Sequence, residues 1–173
     1  MKYPTVDAQY VALSKRLADP GYSDKHADEA DFEAAVWDRL FTFMSDNGED
    51  AAACCLTSHT QGRTGRSDKA WKAFLREECG PDVNVLGSDN RLDIVVKHPI
   101  EGSIGIEVKW LGDRGHAVKL TKGIGQAMLA LACRSWTLVI IHCGSVQPEQ
   151  RDKLRTIAKQ ICRGTKTSII VVP

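Results

Sequence analysis

Two carboxylates and one amine carry the chemistry this chain could do. Asp93 lies in Arg91-Leu92-Asp93-Ile94-Val95-Val96, and Glu107 and Lys109 lie in Ile104-Gly105-Ile106-Glu107-Val108-Lys109. Leu92, Ile94 and Val96 are apolar at every second place, as are Ile104, Ile106 and Val108. That is the period of a strand with one buried face. Between the two segments, His98-Pro99-Ile100-Glu101-Gly102 reads as a turn. An antiparallel hairpin would pair Ile94 with Ile106 and Val96 with Ile104. The same register sets Asp93 directly opposite Glu107, with Lys109 one step along on that face. Opposed side chains lie about 4.5–5.5 Å apart at Cβ, and like charges placed there destabilise a sheet. A bound divalent cation would supply the reason for such a pair, because hard cations take carboxylate oxygens.

Three helices are expected before these strands, over residues 5–18, 28–45 and 49–57. Val6, Tyr10, Leu13 and Leu17 form the stripe of the first, and Phe32, Val36, Leu40 and Phe43 that of the second. Residues 58–66 read as a basic loop, residues 67–79 as a helix begun by Ser67, and residues 83–87 as a first strand. After the two charged strands, a helix is expected at about 121–134 with Leu120, Ile124, Met128 and Leu131 inward. Trp136–Ile141 reads as a strand buried on both faces. Pro148 opens a further helix, with Leu154, Ile157, Ala158 and Ile161 inward, and Ser168–Val172 is a last strand. From residue 67 the order is αβββαβαβ. A nucleotide-binding doubly wound fold would need a Gly-rich first turn, which is missing.

An Asp closing on one strand and Glu-x-Lys on the next resembles the PD-(D/E)XK nuclease superfamily, whose restriction-endonuclease-like fold also serves archaeal Holliday-junction resolvases. The resemblance spans roughly residues 67–172, with Leu92 standing where the motif has Pro. It implies an α/β architecture, an αβββαβ core with a mixed central sheet flanked by helices, preceded by an N-terminal helical segment. It also implies Mg²⁺, with Mn²⁺ as a substitute, held by Asp93, Glu107 and the carbonyl of Val108. Lys109 would orient the attacking water and offset charge at the phosphate. Gln126, on the following helix, would assist. Many members add an acid from the helix before the first strand; Asp68 is favoured here, with Glu78 and Glu33 as alternatives.

Charge is divided along the chain. Residues 1–58 hold 5 Lys+Arg against 11 Asp+Glu, a balance of −6, and residues 59–173 hold 18 against 11, a balance of +7. The division read from this is an acidic helical segment, 1–58, and a nuclease-like domain, 59–173. The basic part suits a polyanion. Arg63 and Arg66 in the loop, and Lys119 and Lys122 on one face of the helix with Gln126, are the candidate phosphate contacts. The expected partner is nucleic acid, DNA in the first place, and the expected activity is metal-dependent endonucleolytic cleavage. A non-catalytic nucleic-acid-binding domain is the alternative. Two strands are most simply cut by two sites, so a homodimer is expected, with Trp37 and Phe41 as a candidate surface. His98 and His116 are expected on surface loops.

The six cysteines show no zinc spacing, Cys54-Cys55 with His59 included, and are expected to be reduced. The polar start is unlike a signal peptide, and no apolar run reaches the roughly 20 residues of a membrane span. A cytoplasmic location is expected, and no membrane partner.

Overall fold

The computed structural model describes residues 3–19, 21–22, 25–57, 82–85, 88–112 and 115–173. Arg63, Arg66, Asp68, Glu78, the loop 58–66 and the helix 67–79 lie outside them. Among the described residues the helices are α1 (Val6–Ala18), α2 (Glu29–Asp46), α3 (Ala51–Cys54), α4 (His116–Ala130) and α5 (Pro148–Ile161). The strands are β1 (Cys55–Thr57), β2 (Asp82–Val85), β3 (Ser88–Arg91), β4 (Ile94–Lys97), β5 (Ser103–Trp110), β6 (Trp136–His142) and β7 (Thr167–Val172).

The fold is α/β, with a mixed five-stranded sheet in the order β1-β4-β5-β6-β7 flanked by helices. β1, β4 and β5 run antiparallel, and β5, β6 and β7 run parallel. α4 and α5 make the crossovers that parallel neighbours require. β5 is the central strand. Its Ile104, Ile106 and Val108 join Ile94, Val96, Leu138 and Ile140 in one apolar cluster with α1 and α2, through Tyr10, Leu13, Leu17, Phe32, Val36 and Leu40. A smaller cluster on the other face packs Val139, Ile141 and Leu111 against Ala127, with Leu120 and Leu154 partly buried beside it.

The hairpin register is the expected one, with Ile94 opposite Ile106 and Val96 opposite Ile104. Both strands are nonetheless covered on two faces rather than one. The expected first strand is not in this sheet. Residues 82–85 pair with 88–91 in a separate two-stranded ribbon. Its place beside β4 is taken by β1, a strand where a third helix was expected to continue; α3 is one turn only. The acidic helices and the sheet thus share one core.

α4 turns a different face inward from the one its large residues suggest. Gly123, Ala127 and Ala130 are buried, and Met128 is exposed. Small residues let this helix approach the sheet closely. On α5, Ala158 is buried while Ile157 and Ile161 are exposed. Trp37 and Phe41, considered for a dimer surface, are spent within the chain. Trp37 is buried, its Nε1–H donates to the Cys55 carbonyl at 3.3 Å, and its ring lies 4.7 Å from that of Phe41. None of the five described cysteines is in a disulfide, and no described helix is long and apolar enough to cross a membrane.

His98 is a buried turn organiser rather than a surface residue. Its Nδ1 accepts from the N–H groups of Ile100 and Glu101 at 3.2 and 3.3 Å, and its Nε2 faces the Tyr3 carbonyl at 3.1 Å. That ties the β4–β5 turn to the N-terminus. His98→Leu leaves the buried Tyr3 carbonyl and the Ile100 and Glu101 N–H groups without these partners, and is expected to cost about 1–2 kcal/mol of stability. Urea denaturation checks this; a change below a few tenths would return His98 to the surface role.

Candidate functional site

The β4–β5 ladder stops one residue short of the facing carboxylates. Asp93 lies in a bend just before β4. Its Oδ2 accepts the Val108 N–H at 2.7 Å. A side chain thus takes the donor that the strand backbone would otherwise take. Leu92 helps to set this bend, since it packs over Gly105 where any Cβ would collide with it.

Gly105, Glu107 and Lys109 alternate with the apolar residues of β5 and point to the α4 side. The Lys109 ammonium lies 2.8 Å from Glu107 Oε1, 3.2 Å from Glu29 Oε1 and 3.9 Å from Asp93 Oδ2. It also donates to the Val108 carbonyl at 2.7 Å. Glu107 is 1% exposed, Lys109 6% and Asp93 9%. The charged face of the hairpin is therefore nearly buried.

Glu29 was not singled out from sequence. It is the first residue of α2, after the cap Asp28, whose side chain accepts from the Asp31 N–H at 2.8 Å. Its Oε2 also accepts the Trp110 N–H at 3.3 Å. Among the described residues, Glu29 is the helix carboxylate that reaches Lys109; Asp68 and Glu78 lie outside them. Glu33, one turn on, is buried in α2 and does not line the cleft. A carboxylate four residues before Glu33 on a capped helix was the available signal. Nothing local ties it to a strand 80 residues away.

Three carboxylates face one ammonium, and ionisation reflects the imbalance. Burial first, then the Asp93 carboxylate, push Glu107 from 4.5 up to about 8, against the pull of Lys109. Burial pulls Lys109 down, but Glu107, Asp93 and Glu29 outweigh it and hold it at about 12. Lys109 stays a cation, and Glu107 takes a proton more readily than an ordinary carboxylate does. Glu107 Oε2 is buried with no hydrogen-bond partner.

The cluster forms one end of a cleft of about 540 Å³, lined by Glu29, Asn90, Arg91, Asp93, Glu107, Lys109, Lys122 and Gln126. Gln126 and Lys122 are where the helix face was expected to bring them. Gln126 Nε2 donates to the Arg91 carbonyl at 3.1 Å, and Asn90 Nδ2 donates to the Gln126 carbonyl at 2.9 Å. These bonds dock β3 onto α4 and form the wall of the cleft. Lys119 is elsewhere; it donates to the Trp110 carbonyl at 3.0 Å and lies 5.2 Å from the Trp110 ring centroid. Gly123 supports Lys109. A Cβ there would meet Lys109 Cγ at 2.9 Å and Cε at 3.1 Å, whereas one at Gly125 would meet nothing within 4 Å.

Two measurements test this geometry. Gly125→Ala is expected to stabilise by about 0.5–1 kcal/mol through helix propensity, and Gly123→Ala to lose that gain against the Lys109 stem. Equal shifts in urea midpoint would refute the close approach. For Glu107, the folded chain holds a proton up to about pH 8 and the unfolded chain loses it near 4.5. The folded state binds more protons between these values, so stability falls as pH rises through that window. Glu107→Gln is expected to remove this fall, read from denaturation midpoints taken across the window.

Compared with family models, with curated proteins and with solved structures, the chain matches none.

Proposed function

We propose that this chain is a divalent-cation-dependent nuclease of the PD-(D/E)XK kind, acting on DNA. One observation carries the reading: Asp93, Glu107 and Glu29 converge on the Lys109 ammonium at the end of a cleft that also presents Arg91 and Lys122. With the one-turn α3 and the separate β2–β3 ribbon set aside, α2-β1-β4-β5-α4-β6 supports it, since it runs αβββαβ with the hairpin before the parallel crossover. Here the first helix is α2, which brings Glu29.

The residues fit a hard cation. The described residues hold no group of three or more His, Cys, Asp or Glu side chains gathered as a metal shell. A Mg²⁺ site needs no such shell, because it uses one or two carboxylates and completes itself with water and substrate phosphate. Asp93, Glu107 with its unpartnered Oε2, and the Val108 carbonyl would hold the ion, with Glu29 beside them. Bound there, a cation would supply a nucleophilic water near neutral pH and charge stabilisation at phosphorus.

The chain's own groups do the rest. Lys109 brings a lasting positive charge to the reacting phosphate, and little water reaches it to weaken that charge. Lys122 and Arg91 hold flanking phosphates. Asn90 and Gln126 fix the wall that carries Arg91. Lys109 bonds the Val108 carbonyl that would serve the ion, so the two cations would compete for it.

Plasmid incubated with Mg²⁺, with and without EDTA, tests the reading. Asp93→Ala and Glu107→Ala are each expected to abolish cleavage and to lose the Mg²⁺-dependent rise in melting temperature. Lys109→Met is expected to abolish cleavage while keeping that rise. Full cleavage by either carboxylate variant would sink the mechanism. Binding of DNA without cleavage by the intact chain would leave a binding domain instead.

A further inference from the structure

A second cavity lies away from the cleft, between α1 and the start of α2. It encloses about 390 Å³ and is lined by Arg16, Gly21, Tyr22, His26, Ala35 and Arg39. We propose that it is a binding site for a phosphate monoester, a group that offers both acceptor oxygens and a P–OH.

The lining is built from polar groups whose needs are not met. Nε of Arg16, Nε of Arg39 and Nε2 of His26 are all buried without a hydrogen-bond partner. The His26 side chain is 7% exposed and that of Arg39 12%. A buried polar atom left unmet is destabilising, and an occupant of this cavity would meet three of them, two arginine donors and a ring nitrogen. The arginines are held in place. Arg39 lies 4.5 Å over the Tyr22 ring, and its Nη2 is 3.5 Å from Asp19 Oδ2. Arg16 Nη1 is 3.9 Å from the same oxygen. Two guanidinium groups therefore share one carboxylate, which leaves one positive charge for an anion.

His26 narrows the chemistry. Its Nδ1 faces Asp31 Oδ2 at 3.1 Å, and a carboxylate oxygen accepts. In the neutral imidazole this leaves Nε2 as an acceptor. The ring is wedged edge-on to His142, at 4.9 Å, and beside Phe32, at 5.2 Å, so it cannot turn freely. Against that tautomer, an occupant that accepts from the arginines and donates to His26 meets all three groups. Hydrogen phosphate and a terminal phosphomonoester do both; a phosphodiester and sulfate have no proton to give. The site uses none of the cleft residues, so it stands or falls apart from the nuclease reading.

Melting of the full chain in inorganic phosphate, against chloride at matched ionic strength, is the first test. At about tenfold over its dissociation constant, phosphate is expected to raise the melting temperature by roughly 3 °C. Sulfate is expected to raise it less. Arg39→Gln should abolish the phosphate rise; because Arg39 also packs on Tyr22, the half-exposed Arg16→Gln serves as a second variant and should reduce it at least several-fold. Binding of a 5′-phosphorylated oligonucleotide against the same strand without the phosphate identifies the source. Several-fold tighter binding, lost in Arg16→Gln, would make it a nucleic-acid end. Equal binding, with the phosphate rise intact, would make it a free monoester. No rise above chloride, an equal rise with sulfate, or a rise kept by both variants would overturn the proposal.

Discussion

The rest of the structure is arranged around one buried ammonium. Lys109 is 6% exposed and touches Glu107, Glu29, Asp93 and the Val108 carbonyl. Burying a charge is expensive, and the attraction between partners offsets it only where geometry is good and remaining groups are bonded. That demand explains several otherwise separate features. β5 is the central strand, the most rigid position a sheet offers, and it carries both Glu107 and Lys109. α4 has Gly123 where the lysine stem passes, at the cost of helix propensity. The first turn of α2 is capped by Asp28, which fixes the residue that follows it, Glu29.

The acidic helices are bound to the sheet by the same logic. α2 contributes Phe32, Val36 and Leu40 to the cluster that holds Ile106 and Val108 on the far face of β5. The packing of α2 is therefore also the positioning of Glu29. An apolar substitution under α2 would move a carboxylate in the cleft without touching a polar group. β1 follows α3 directly and forms the sheet edge against β4. Residues 29–57 thus place one acid and stiffen the strand that begins just after Asp93.

What could be read from sequence was set by local period. The pairing of Ile94 with Ile106 follows from alternation and turn length alone, because a one-residue slip would turn Glu107 and Lys109 into the apolar core. The continuous apolar run of β6 and Pro148 at the start of α5 were legible for similar reasons. The inward face of α4 was not. Hydrophobic periodicity favours the largest residues, while close approach to the sheet puts the smallest inward, Gly123 against Lys109 and Ala127 in the cluster of Val139 and Ile141. The ribbon of β2 and β3 was misjudged because a short strand pattern does not say which sheet it joins. Glu29 was missed because its only link to the site is tertiary. His98 looked like loop polarity, and only the Tyr3 carbonyl, far off in sequence, shows why it is buried.

The cluster is also unbalanced in a way that bears on its use. Had stability alone shaped it, one carboxylate would suffice for one ammonium. Asp93 instead raises the proton affinity of Glu107, and Glu107 Oε2 has no donor to meet it. Both features cost the empty fold free energy. A second cation would relieve both at once, because it would offset the repulsion and give Oε2 a partner. The lysine cannot do so alone, being one charge already shared among three acids. The excess of acid over base, rather than the presence of any single residue, would thus tie the stability of the folded chain to a cation in its cleft.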